Sequence, residues 1–121
     1  MLASEVIYQT LGPLFNDQVA PAPLAQGQQV FGTYVTYQGI SEDPLNTVNT
    51  WTGHDHLRVQ INVHNKDKIQ CEKDAAKVKR AMADQDLTAC SIAGGADGGF
   101  DDETQLYQQQ IDIFIWQNAE E

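Results

Sequence analysis

The chain is short of cations, of cysteine and of long apolar runs, and each shortage excludes a class of function. Seven Lys and Arg stand against seventeen Asp and Glu, for a formal net charge of -10. Such a surface repels polyanions, which argues against nucleic acid gripped over a broad face. No stretch approaches the roughly 20 apolar residues of a membrane-spanning helix. The opening MLASEVIYQT has neither the basic region nor the apolar region of a secretory leader. The expectation is a soluble protein made in a cytoplasm, with no membrane partner. The two cysteines, Cys71 and Cys90, have no CxxC spacing and read as small core side chains rather than a disulfide or a redox pair.

Chemical motifs are equally scarce. His54, Asp55 and His56 look like a metal clip, because a strand puts residues two apart on one side, yet a site needs a third ligand. His64 is eight residues from His56, roughly 26 Å along a strand, and solvated histidines at a strand edge are the plainer reading. Asp97, Asp101, Asp102 and Glu103 lack the spacing of a calcium loop. Gly94, Gly95, Gly98 and Gly99 are not followed by the Lys-Ser/Thr of a phosphate loop, and the neighbouring acids oppose phosphate. No Ser, His and Asp order or local nucleophile motif stands out. Neither an enzyme nor a cofactor is expected.

What is present is a strong pattern in the middle of the chain. Leu57, Val59, Ile61 and Val63 alternate with His56, Arg58, Gln60, Asn62 and His64, the period of two of a strand with one buried face and one wet face. A helix follows, capped by Asn65. On its wheel Cys71, Ala75, Val78 and Met82 form an apolar stripe, with Lys66, Lys73, Lys77 and Arg80 nearly opposite.

Around this unit, the 121 residues with 41% hydrophobic content suffice for one core, so residues 1–121 read as a single domain. A first helix runs from about Ser4 to Leu11, with Leu2, Val6, Ile7, Leu11, Leu14 and Phe15 as its core stripe. Residues 16–29 read as an extended connector, and Val30 to Ile40 as a strand. Ser41 to Pro44 reads as a turn and Leu45 to Trp51 as a weaker strand or arm. After the second helix, Leu87 to Ala93 reads as a short strand and Gly94 to Thr104 as a mobile loop. Leu106 to Gln117 alternates again and reads as the last strand. The fold class expected is α+β: a mainly antiparallel sheet of four to five strands with both helices on one face.

Charge is segregated along this frame. Six of the seven cations, Lys66, Lys68, Lys73, Lys77, Lys79 and Arg80, oppose only Asp67, Glu72 and Asp74. Residues 66–80 therefore carry 6 − 3 = +3, and the remainder of the -10 chain carries -13. The helix cations are candidates for a contact with the acids Asp97, Asp101, Asp102 and Glu103 of a neighbouring copy, a pairing of unlike patches that closes into a ring when the rotation permits. A solvated helix face is the alternative. Trp51, in the polar arm NTVNTWTG, is either an anchor for a partner or buried by the arm folding back.

The sequence resembles the tail-completion, or tail-terminator, proteins of long-tailed bacteriophages over nearly its whole length. The likeness is carried by an N-terminal helix, a proline-containing connector and the strand FGTYVTYQGISEDP. It continues in HLRVQINVHNKD passing directly into a Lys/Arg-bearing helix, and in the final strand LYQQQIDIFIW. The resemblance implies a non-enzymatic assembly role. Members form rings, typically of six copies, that cap the tail tube, stop its growth and meet the neck of the head. It thus implies a homo-oligomer, a tail tube protein and a head-neck connector protein as partners, a place at the tail-head junction of the virion, and host cytoplasm during assembly. DNA would pass through the ring without sequence-specific contact. Another head-tail connector or head-closure protein, and a small ligand-binding α+β domain, are the alternative readings.

Overall fold

β-Branched residues at alternate positions build the sheet from its middle outwards. In the computed structural model, residues 1–24, 30, 32–46 and 51–118 are described, with the backbone alone for 41–46, 51–55 and 118. The central strand is β3 (Trp51–Asn65), flanked by β2 (Thr33–Asn46) and β5 (Leu106–Asn118). A short β1 (Val19–Pro21) and β4 (Cys90–Asp101) complete a five-stranded sheet in the order β1-β2-β3-β5-β4. Every pairing is antiparallel except β1 with β2.

Helices α1 (Ala3–Leu11) and α2 (Lys68–Asp84) cover one face. Val59, Ile61 and Val63 of β3 meet Ile111, Ile113 and Ile115 of β5, Val35 of β2, and the helix residues Val6, Ile7, Leu11, Cys71, Ala75, Val78 and Met82 in one buried cluster. The fold is α+β, as the periodicity implied, and the apolar stripe of α2 packs where the wheel placed it. Ala3 and Phe15 join the core, whereas Leu2 and Leu14 are exposed, so the stripe of α1 is narrower than its sequence pattern. Its first residue is Ala3, with Leu2 at the N-cap position, rather than Ser4.

Four local expectations are corrected. The α2 cap is Asp67, whose carboxylate accepts from the Ile69 and Gln70 amides. Asn65 instead accepts from the Asp67 amide at 2.8 Å and donates to the Thr33 hydroxyl at 2.7 Å, so it fixes the strand-to-helix bend one step earlier. Within the 16–29 connector, Val19–Pro21 forms β1, tied to β2 by Val35 N donating to Gln18 O and Ala22 N donating to Tyr37 O, both at 2.8 Å. Three residues are too few for a periodic signal. Residues 25–29 of that connector lie outside the described residues.

The Ser41–Pro44 turn is absent because β2 runs on to Asn46, with a register shift between Gly39 and Ser41 that absorbs one extra residue. Pro44, opposite Asp55 of β3, is tolerated there because on its other side β2 has no described partner past Tyr37, and an edge strand forfeits little for a missing N–H. Finally, the loop expected over Gly94–Thr104 is for most of its length the strand β4. Its glycines permit pairing rather than prevent it. A Cβ on Gly98 would stand 2.8 Å from Cβ of Gln108, and Gly99 adopts a φ of +76°, so the register shift between Asp97 and Gly99 depends on residues without side chains.

Candidate functional site

The basic helix does not present one stripe of charge. Lys68 reaches Asp97 of its own chain at 3.9 Å, and the Lys79 ammonium lies beside Gly95 of β4. These two cations therefore lean over the acidic strand. On the opposite flank the Lys77 ammonium sits 5.4 Å from the centroid of the Phe15 ring. Lys73 and Arg80 remain outermost and exposed, and exposed Lys66 precedes the helix. Of the cations singled out by sequence, Lys73 and Arg80 are thus the pair on the solvent side of α2.

Along that side the spacing i, i+4, i+7, i+11 aligns Ile69, Lys73, Ala76 and Arg80, all exposed. Ile69 is 64% exposed. An apolar residue off the core stripe of a helix was the available signal in the sequence, and the wheel reading passed over it.

The acids sit on a hydrogen-bonded hairpin. Asp97 accepts from the Gly99 amide at 2.8 Å, and Asp101 accepts from the Glu103 amide at 2.9 Å. Gln105, with a φ of +60°, donates from its backbone to Asp101 O at 2.7 Å and from its side chain to Asp102 O at 2.6 Å. These bonds hold the turn that carries exposed Asp102 and Glu103. Phe100 stands at the end of β4, 47% exposed, its ring 5.0 Å from that of Tyr107 across the ladder. An aromatic side chain inside GGADGGFDDET has no local apolar neighbour to hide it, and that is legible in the sequence.

The sheet face away from the helices is polar but not uniformly wet. His64, between Tyr34 and Gln108 in the register, is 5% exposed, and Asn62, between Thr36 and Gln110, is 9% exposed. This corrects the expectation of a solvated strand face. Long cross-strand neighbours screen short ones on a sheet even where no helix covers it. The His64 Nε2 and the Thr36 hydroxyl are 2.9 Å apart, and burial lowers the His64 pKa more than nearby Asp101 raises it. Further along β3, Arg58 pairs with Asp112 at 2.7 Å. The His56 ring stacks between Phe114 and Trp116, with centroids at 5.3 and 4.7 Å. His56 is thereby part of an aromatic ladder. Among the described residues no three His, Cys, Asp or Glu side chains converge as metal ligands. The side chains of His54 and of Trp51, the candidate anchor, lie outside the described residues; the Trp51 backbone begins β3 opposite Asn46.

One buried polar network escaped the sequence reading. Asp74, 7% exposed, accepts from the hydroxyl of Thr33 and from the Gln70 side-chain Nε2 at 3.0 Å. It lies at i+3 from Cys71, on the flank of the apolar stripe, which is the signal that was available. A cleft of about 150 Å³ beside it is lined by residues including Phe15, Thr33, Asp74 and Lys77. That is well below the roughly 300–1,000 Å³ of ordinary small-molecule sites, and the hydrogen bonds from Thr33 and Gln70 already occupy both carboxylate oxygens. Cys71 donates to Val63 O at 3.2 Å. Burial pushes its thiol up to about 11, with Asp74 and Asp97 adding to the rise, and burial alone does the same for Cys90. Both thiols are protonated at neutral pH, the unreactive form.

Among the described residues the arrangement offers three surfaces: an outer helix stripe with cations, an acidic hairpin tip, and a polar sheet face ending in aromatics. Comparison with protein-family models and with curated proteins finds no match to this chain.

Proposed function

We propose that this chain is a phage assembly protein of the tail-completion type, whose copies form a ring that ends tail-tube growth and joins the tail to the neck of the head. The observation that carries the reading is the separation of charge onto two elements: exposed Lys73 and Arg80 on α2, and exposed Asp102 and Glu103 on the β4–β5 tip. Unlike patches on one chain join head to tail, and a head-to-tail contact that closes makes a ring. Six copies, a tail tube protein and a head-neck connector protein are the partners this reading brings with it, at the tail-head junction of the virion.

The reading is non-enzymatic, with no cofactor. The strongly acidic remainder of the surface supports passage of DNA through such a ring, because there are few cations to replace its counterions. A ring whose lumen is lined by Lys73 and Arg80 would contradict that last point. The test is electron microscopy of particles made without this protein. Overgrown tails are expected. Finished tails and filled heads that fail to join would assign it instead to head closure, and normal virions would overturn the assembly role.

A further inference from the structure

We infer that the contact between copies has an apolar centre, with Phe100 of one copy docking on Ile69 in the α2 stripe of the next. The inference rests on the assembly reading above and adds to it the residues that would carry the affinity. Exposed ion pairs contribute little on their own, so charge by itself orients a contact without holding it. Interfaces are held by buried aromatic and aliphatic anchors ringed by polar groups.

Each charged patch of this chain has such an anchor. On the hairpin, Phe100 is half exposed and backed by Tyr107, and exposed Asp102 and Glu103 follow it. On α2, Ile69 is the most exposed large apolar residue, with Lys73 one turn along the same stripe and Arg80 beyond. The two patches are complementary in charge and alike in plan, apolar at one end and ionic beyond. They belong to different elements, and each is braced by its own hydrogen bonds. The Asp97 and Asp101 side chains fix the hairpin, and Asp67 caps the helix. Little ordering entropy is then lost on docking. The occupant of each patch is a second copy, because its other patch supplies the opposite charge and an apolar anchor.

A head-to-tail contact leaves a signature that a two-fold contact does not. The tip variant Phe100→Ser/Glu103→Lys and the stripe variant Ile69→Ser/Lys73→Glu change only exposed residues, and circular dichroism checks that each stays folded. By native mass spectrometry and sedimentation, wild-type protein is expected to assemble at micromolar to millimolar subunit concentration. Each variant alone is expected to lose association by roughly thirtyfold or more, the loss typical of a central anchor. An equimolar mixture of the two variants retains one intact tip and one intact stripe, so it should form one-to-one dimers that grow no further.

Wild-type protein that stays monomeric at millimolar concentration would overturn the contact. So would variants that assemble as wild type, or a mixture that forms no dimer. The functional reading fails separately. If copies associate as described but virions made without the protein are normal, the contact stands and the role falls. If tails overgrow without the protein and both variants restore their length, the role stands and the contact falls.

Discussion

The two faces of β3 are made by the same alternation and yet behave differently. On the helix side, Val59, Ile61 and Val63 are buried in one cluster with residues of α1, α2 and β5, and Leu57 at the end of the same set is partly buried against it. On the other side Arg58 is exposed, Asn62 and His64 are buried, and His56 is stacked between two aromatic rings. A face covered by helices is set by hydrophobic transfer, which the identity of a single residue predicts well. An uncovered face is set by its lateral neighbours, so the same side-chain type is wet or dry according to what stands across the ladder. The teaching of the pair is that period-two alternation identifies the apolar face and leaves the state of the polar face open.

The largest effect that separates the faces is a cavity. Ile61 and Ile111 are cross-strand partners, and both are fully buried. Ile61→Ala is expected to cost about 3 kcal/mol, within the 2–5 kcal/mol range for such truncations, read as a lower urea midpoint with an unchanged slope. Gln60→Ala, one residue away on the other face, should change stability by about 0.5 kcal/mol or less. Equal losses at the two positions would mean that the polar face is covered after all.

How much of this molecule is legible in its sequence follows the same division. The strands and helices with a long apolar period, from Leu57 to Val63, Cys71 to Met82 and Ile111 to Ile115, stand where the period puts them. What the period does not encode is pairing between strands. β1 is too short to show one, and half of β4 is glycines and acids whose ladder is a backbone property. The Ser41–Pro44 turn fails for a related reason: Pro44 signals a break in isolation, but an edge strand tolerates it. The acids and cations of the candidate surfaces are visible as composition. Their anchors leave a signal too, Ile69 as an apolar residue off the core stripe of α2 and Phe100 as an aromatic among glycines and acids; how far each is exposed, 64% and 47%, comes from the fold.

An intermediate effect tests the buried end of the polar face through pH. Burial depresses the His64 pKa in the folded state below its ordinary value near 6.5, against the smaller raising influence of Asp101. Between that ordinary value and the lower folded one, the unfolded chain binds more protons than the folded chain. The stability from neutral His64 is therefore fully present above about pH 6.5 and is lost as pH falls through the folded pKa. Urea midpoints measured from pH 7.5 downward should decline across this window, and His64→Gln should flatten that part of the profile. A wild-type profile unchanged by the substitution would place His64 in water and return the whole polar face to the solvated class.

The smallest effect concerns the middle of that face. Arg58 and Asp112 form the shortest described ion pair, at 2.7 Å, but the Arg58 side chain is 43% exposed. Solvent screening and the entropy of holding a long side chain reduce such a pair to about 0.5 kcal/mol, so Arg58→Ala should lower the urea midpoint only slightly. The loss should shrink further as salt is raised, because exposed charges are screened. A double-mutant cycle with Asp112→Ala isolates the pair from the packing of the Arg58 stem. A coupling of about 0.5 kcal/mol would match a half-exposed pair on an open sheet. A coupling several times larger and indifferent to salt would show that something dry lies over Arg58 in solution, and the contrast between the two faces of β3 would then be one of covering element rather than of covered against open.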